Sequence, residues 1–385
     1  MSFFKKIFIL AIFLFSLGEI IRIDYGNGIV FRPLDVVIGM TVVFWLIFKL
    51  IKKEKIKQKN IYIPILSFAG IGGLSLLINY SSLSVSEFFI SLMYLIRWIA
   101  YAGIFFVVLD FDENFKKKIS NILIIVGSLI VGLGYIQYFF YSNLRNLYYL
   151  GWDEHMYRMF SVFLDPNFAG AFFVLFLLFL VSIFLKKKSI LMGLILILTL
   201  AAVFLTFSRS ALIMLIISTS LLFILMSRKK LIILLFAIVF VAILISSRYF
   251  NIANINLFRV ASSEARIETA KDTLRIIQSR PILGIGFNAY RYVQVQYGLR
   301  NKINNASHAD ASTDNSFLFV MATTGIVGLI LYLFLWFRMI KNASVLVIAS
   351  VVGVFVDSLF INSLFYPFIM LWLWILMGLE IKRNN

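Results

Sequence analysis

Twelve apolar runs punctuate this 385-residue chain, near 3–18, 34–51, 61–79, 88–109, 119–141, 166–185, 189–207, 210–226, 231–247, 317–337, 343–360 and 364–380. A helix of that length reaches across most of a bilayer's hydrocarbon, and backbone in lipid must satisfy its own hydrogen bonds. The expected fold is therefore all-α, a polytopic membrane protein of about twelve transmembrane helices forming one domain over 1–385. Composition bears this out: 62% of residues are hydrophobic, 41 are Phe and 14% are charged, whereas soluble domains run roughly half apolar and a quarter charged. The first run follows Lys5 and Lys6 in the manner of a signal peptide, but no small-x-small cleavage site precedes "GEIIRIDYGNG". It is expected to stay as a membrane helix. The absence of cysteine removes disulfides, thiolate catalysis and Cys-bound metal.

The net charge of +18 suggests nucleic acid until its placement is read. With the N-terminus inside, the blocks at Lys5–Lys6, "KLIKKEKIKQK", 116–118, 186–188, 228–230, Arg338 with Lys341, and Lys382 with Arg383 all fall on one side. That is the positive-inside pattern, with both termini cytoplasmic and no call for a nucleic-acid partner. Lysine dominates there and needs only topology and anionic headgroups. The outer side is rich in arginine instead: positions 22, 32, 145, 158, 209, 248, 259, 266, 275, 280, 291 and 300. Arginine's planar fork suits two-point contact with phosphate. Pairing with outer acids such as Glu264, Glu268 and Asp272 is the plainer alternative.

Two outer loops are long, 142–165 and 248–316. The second is expected to be structured, since it has neither repeats nor low complexity. Within it "SSEARIETAKDTLRIIQSRP" reads as an amphipathic helix lying on the outer membrane face. Ser262 or Ser263 would cap it, Ile267, Ala270, Leu274 and Ile277 would form its apolar stripe, and Pro281 would follow its end. "LGIGFNAY" after it is a glycine-rich turn without a nucleotide-binding fingerprint.

Four features carry chemistry. Arg209, in "TFSRSA", lies at the outer junction of two tightly connected helices, either snorkelling or facing a headgroup. Arg97 lies ten residues into the fourth run and needs a partner at that depth; Asp357, the comparably embedded acid, is the expected one. The two histidines, His155 and His308, both fall outside. "SHADASTDNS" packs His308, Asp310 and Asp314 ahead of a helix, in spacings that match no standard metal-ligand pattern. Asp314 or Ser316 would cap the tenth run, or Asp314 would act as a base, and the residues alone leave both open.

In order and topology these motifs resemble the O-antigen ligase and Wzy polymerase superfamily, whose members handle glycans carried on polyprenyl diphosphate. The ligases carry His-Asn, nine residues, then Gly-x-x-Gly; here the register reads Asp314-Asn315, nine residues, then Gly325-Ile-Val-Gly328. "TFSRSA" is similar to the family's membrane-edge Ser-Arg motif. The stretch from Arg266 to "PILGIGFNAY" is like its Arg, helix, P-x-x-G-x-G pattern, and "FLDPNFAGAF" like its Pro-Asn helix opening. The resemblance covers roughly 160–330.

It implies a GT-C-like membrane glycosyltransferase with a large extracytoplasmic loop before its last three helices. The enzyme would work without metal or cofactor on the outer face of a bacterial plasma membrane. Its partners would be an undecaprenyl-diphosphate-linked glycan, a glycan or lipid acceptor, and membrane lipid. Arg209 and Arg266 match the arginines that hold the donor diphosphate, and Asp314 stands where the family's histidine activates the acceptor. A carboxylate can take a hydroxyl proton too, and His308 is the alternative base. Asn315, Arg97 and Asp357 are expected to support the site. The departure at Asp314 favours a polymerase over a ligase. The rival from another class is a transporter of lipid-linked oligosaccharide, which usually shows internal repeats and interrupted helices; no repeat is evident, and five prolines mark no paired broken helices.

Overall fold

Each of the twelve apolar runs lies on a helix. The structure, a computed structural model, describes residues 2–25, 29–56, 58–249, 261–299, 311–341 and 343–381. In chain order the α-helices are α1 (Ser2–Phe15), α2 (Pro33–Ile51), α3 (Lys59–Ile78), α4 (Val85–Leu109), α5 (Glu113–Phe140), α6 (Pro166–Phe184), α7 (Ile190–Leu205), α8 (Arg209–Leu225), α9 (Lys230–Tyr249), α10 (Ala261–Ser279), α11 (Tyr290–Gln296), α12 (Ser316–Ile340), α13 (Val345–Asp357) and α14 (Pro367–Glu380). The exception to an all-helical chain is a two-residue antiparallel pairing of Ile23–Asp24 with Val30–Phe31.

Local chemistry sets the ends. Ser84 and Glu87 form a capping box on α4, Asp112 caps α5 and Ser344 caps α13, while proline opens α2, α6 and α14. Each such group meets a backbone N–H that the first turn leaves free, or, for proline, removes it.

Six helices, α2 to α6 and α12, are long and apolar enough to cross a membrane; α7, α8, α13, α14 and the Lys230–Ala242 part of α9 are apolar but shorter. The shortening has a local cause where α8 and α13 meet. Arg209 begins one and the buried Asp357 ends the other, so both helices terminate on polar groups.

Helices α6 and α14 form the centre, apolar on every side and buried nearly throughout, as expected of a helix without a wet face. Trp372 of α14 sits among Phe172, Phe176 and Phe179 at centroid distances of 5.2, 6.0 and 5.7 Å. Edge-to-face contacts of this kind add roughly 0.5–1.5 kcal/mol each beyond area burial. Around them α14 packs on α4, α13 on α8, and α12 on α3.

Four expectations are corrected, the first in part. The apolar stripe of α10 meets the protein only at one end: Ile277 is buried beside Thr273 and Ile276, while Ile267 and Leu274 are 55% and 47% exposed. The cause is Thr273, whose hydroxyl bonds the Thr269 carbonyl at 2.7 Å and the Tyr290 hydroxyl at 2.7 Å and so sits inside satisfied. Ser262 and Ser263 fall within the first turn of α10 rather than ahead of it. The Arg97–Asp357 pair does not exist: Arg97 faces Asp35 of α2 at 3.5 Å, and Asp357 accepts from Ser363. Finally, α12 is an interrupted helix. Gly325 has φ 68 and ψ −173 inside it, a break made by glycine and therefore invisible to a search for proline.

The break and the glycine-rich turn after α10 are one device. The segment 281–286 lies along the interruption, with Ile285 N–H on the Ala322 carbonyl (3.0 Å), Gly286 N–H on Thr323 (3.1 Å) and Ile326 N–H on Pro281 (2.9 Å). Ser75 of α3 bonds the Thr323 carbonyl at 2.8 Å, and Asn79 bonds that of Gly284 at 3.0 Å. The groups freed by the break are thus satisfied by the turn and by α3, as buried backbone requires. The consequence is positional: α10 is fastened to α12.

Candidate functional site

The site grows from three helix beginnings. At the first, the turn from α7 to α8 is three residues long, with Phe207 in a left-handed conformation (φ 49). Ser208 caps α8 by accepting from Ala211 N–H at 3.4 Å, which sets Arg209 in the first turn. The turn is clamped from beneath by Arg158, which is buried. Its Nε donates to the Thr206 carbonyl at 2.8 Å, and its Nη2 donates to Asn167 Oδ1 at 3.3 Å. Ser208 also donates to Asn167, at 3.1 Å, and lies 3.2 Å from the Ser210 hydroxyl.

The second beginning is that of α6. Asp165 caps it, its Oδ1 accepting from Asn167 N–H at 2.7 Å and Phe168 N–H at 3.4 Å. The Pro-Asn and Ser-Arg motifs therefore meet: Asn167 is the residue through which α6 holds the turn that carries Arg209.

The third is that of α12, and it settles the cap. Asn315 takes that role, not Asp314 or Ser316: its Oδ1 accepts from Phe317 and Leu318 N–H at 2.9 and 3.0 Å, and its Nδ2 donates to the Leu359 carbonyl at 3.2 Å. Ser316 is buried and docks on the end of α13, its N–H on the Ser358 carbonyl at 2.9 Å and its Oγ receiving Leu364 N–H at 3.2 Å. With its neighbours so engaged, Asp314 is held in place yet makes no hydrogen bond or ion pair of its own among the described residues.

Two cavities open onto this carboxyl group. The smaller, about 420 Å³, is lined by Arg209, Ser210, Arg266, Thr313, Asp314 and Asn315, together with Ile213, Ile267, Ala270, Leu318, Leu359 and Phe360. It is amphipathic, a charged end against an apolar flank. Two guanidinium groups meet one carboxylate there, and Arg209 and Arg266 are close enough to act on each other electrostatically. Like charges held in a partly dry space favour an anion between them.

The larger cavity, about 850 Å³, shares Arg266, Thr313 and Asp314 with the first and extends to Asp153, His155, Arg158, Asp165, Trp152 and Arg97. Both volumes fall within the range of ligand sites. Burial pushes the Asp314 carboxyl above the ordinary carboxylate range; Arg266 pulls it down and Asp165 pushes it up. Asp153 is likewise raised, by burial first and then by Asp165 and Asp314, against His155 and Arg158. A raised carboxyl group near cations suits proton exchange with a hydroxyl.

The residues singled out in the sequence are thus partly assembled. Arg209, Arg266, Asp314 and Asn315 converge on the smaller cavity, and Arg97 stands on a wall of the larger. Asp357 is buried between Ser210 and Ser363, behind the first turn of α8. His308 and Asp310 lie outside the described residues. Asp153 and Asp165 carry no role in the sequence reading, while Arg158 enters it only as one of the outer arginines and Asn167 only within the Pro-Asn motif. An acid directly before Pro-Asn is a helix-cap signal that could have found Asp165.

Several of the outer arginines do have acid partners: Arg22 with Asp24, Arg32 with Glu19, Arg145 with Glu154 and Arg275 with Asp272. Among the described residues no group of three or more His, Cys, Asp or Glu is arranged to hold a metal.

The molecule is a bundle of apolar helices, six of those described long enough to cross a membrane, with two arginine-lined cavities at its polar helix ends. Residues 194–333, from α7 to the far part of α12, match the family model described as O-antigen ligase (Wzy_C). Over that stretch the chain is similar to the O-antigen ligase and Wzy superfamily. No curated protein matches it.

Proposed function

We propose that the protein transfers glycan from an undecaprenyl-diphosphate-linked donor to an acceptor hydroxyl, on the outer face of a bacterial plasma membrane, and acts as a polymerase rather than a ligase. The observation that carries this is Asp314, one carboxylate facing two cavities, with two arginines on its smaller side. The smaller cavity takes the diphosphate against Arg209 and Arg266, and the prenyl chain along Ile213, Ile267 and Leu318. The acceptor enters through the larger cavity. Asp314 accepts the hydroxyl proton, the oxygen attacks the anomeric carbon from the opposite face, and the bond to the diphosphate breaks with inversion. Arg209 and Arg266 neutralise the charge that gathers on the leaving group, which matters most in a site of low dielectric. In this scheme they do the work of a Lewis acid, so no metal is needed. An aspartate in the place of the ligases' histidine supports the polymerase.

Twelve crossings with both termini cytoplasmic accompany this reading, supported by a helix under each apolar run, six of them long enough to cross, and by basic blocks that fall on one side. The broken α12 is a feature that transporters share, but its break is filled by backbone from 281–286 rather than opened to a cavity.

The test is reconstitution of the purified chain with a lipid-linked repeat unit. A ladder of products that persists in EDTA is expected, and Arg209→Ala or Arg266→Ala should abolish it while leaving insertion intact. A single transfer to another acceptor would make the enzyme a ligase. No transfer, or ladders unchanged in both variants, would overturn the reading.

A further inference from the structure

The proposed chemistry uses only the corner of the larger cavity at Asp314. A separate wall is built from the start of α2, the middle of α4 and the residues around α11, and it carries Arg22, Arg32, Tyr94, Arg97 and Arg291.

Two arginines of this wall are held very differently. Arg32 is tied on one side of its fork, its Nε and Nη2 on the two oxygens of Glu19 at 2.9 and 3.0 Å, while its Nη1 is buried without a hydrogen bond. Arg97 is not so tied. Its guanidinium lies 4.4 Å over the Tyr94 ring, which covers one face, and its Nη1 stands 3.5 Å from Asp35 Oδ2. That is an ion-pair distance, too long for a good hydrogen bond. Asp35 is moreover committed elsewhere, receiving the Tyr101 hydroxyl at 2.5 Å and lying 4.0 Å from Arg32. Among the described residues Arg97 has no other ion pair, so its donors open on the cavity that it lines. A guanidinium fixed by stacking and by one distant carboxylate, with its fork unspent, is prepared for an oxyanion.

The charge of the wall says which oxyanion. Arg22, Arg32 and Arg97 are set against Glu19, Asp24 and Asp35, so the group is close to balanced. Such a balance suits a single negative charge, not the diphosphate that Arg209 and Arg266 would take. Trp152 and Phe168 line the same space, one face of each taken, by Arg22 at 5.3 Å and by Tyr366 at 3.8 Å, so that a pyranose ring would stack on the other.

We propose that the larger cavity is a subsite for a carboxylate-bearing glycan, a uronic acid or a sugar with an acidic ether or ketal, whose carboxylate is received by Arg97. That the occupant is a glycan rests on the transferase reading; that it is a monoanion rests on this wall.

Binding can be read without transfer, because Trp98 and Trp152 line the cavity. The full chain in detergent is titrated with trigalacturonic acid and with the neutral galactose trisaccharide, following tryptophan emission. The acid should bind about 10- to 100-fold tighter, the range a charge-assisted contact supplies. Arg97→Gln should reduce the acid to the level of the neutral sugar. If that variant does not fold, Asp35→Asn serves instead: removing the competing carboxylate should tighten the acid alone, whereas a purely structural Arg97 predicts no gain. Equal affinity for the two sugars, or a preference that survives Arg97→Gln, overturns the proposal. Acid-selective binding without any ladder would keep the subsite and sink the transferase; ladders without acid selectivity would do the reverse.

Discussion

At the scale of the residue, Asn315 caps α12 and leaves Asp314 for its proposed role as base, two duties that the sequence could not separate. A base works in its ionised form, and burial raises the Asp314 carboxyl above its ordinary value of 3.8. Transfer should therefore fall as pH drops through that raised value, and the acid limb of the pH–rate profile reports it. Arg266 pulls this carboxyl down and Asp165 pushes it up, so Arg266→Gln should move the limb of any residual activity upward and Asp165→Asn downward. A limb that moves with neither, or that survives Asp314→Asn near the histidine range, assigns the proton to His308. Capping separates the pair a second time. Asn315→Ala removes the acceptor of two first-turn N–H groups and should cost about 1 kcal/mol of stability, whereas Asp314→Ala, which caps nothing, should stay within about 0.5 kcal/mol. Thermal melts in detergent distinguish them.

At the scale of the element, the G-x-x-G and P-x-x-G-x-G motifs are halves of one joint. A Cβ at Gly325 would meet the Ile282 carbonyl oxygen at 2.0 Å, and the residue's φ of 68 with ψ −173 is open to glycine alone. Gly325→Ala should destabilise the fold by about 2 kcal/mol or more, from strain before any repacking. It should also lower transfer without changing a group that touches substrate; a variant as stable and active as the parent would mean that the joint is dispensable. This level was legible only in part. Hydrophobic runs found the apolar helices, because length and apolarity are local properties. The buried side of α10 was legible at Ile277 but not at Thr273, which is buried through a hydroxyl contact with Tyr290, seventeen residues away. Arg97 was given the wrong acid for a similar reason: depth in the bundle identified it as needing a partner, but only packing of α2 on α4 brings Asp35 to it. Arg209, Arg266 and Asp314 came from motif order, while Asp165 and Arg158 belong to contacts between motifs.

At the scale of the whole molecule, the scheme requires both cavities to face outward. The chain has no cysteine, so single cysteines at Ser279 or Gln296, both exposed or partly so, can be labelled on a cysteine-free background. An impermeant maleimide should reach them in intact cells, and labelling only after lysis would invert the topology. The fastening of α10 to α12 has a further meaning at this scale. Fourteen residues separate Arg266 from Pro281, where the chain is pinned, and thirteen of them lie on one helix. That helix is a ruler with an angular scale. Each added residue turns whatever precedes it by about 100° and lifts it by about 1.5 Å. One inserted alanine near residue 272 would swing Arg266 off the cavity it shares with Arg209. Seven would bring it back to nearly the same bearing, but about 10 Å too high. Length between these two motifs is therefore fixed in both rotation and reach, and the chain can vary the composition of α10 far more freely than its count.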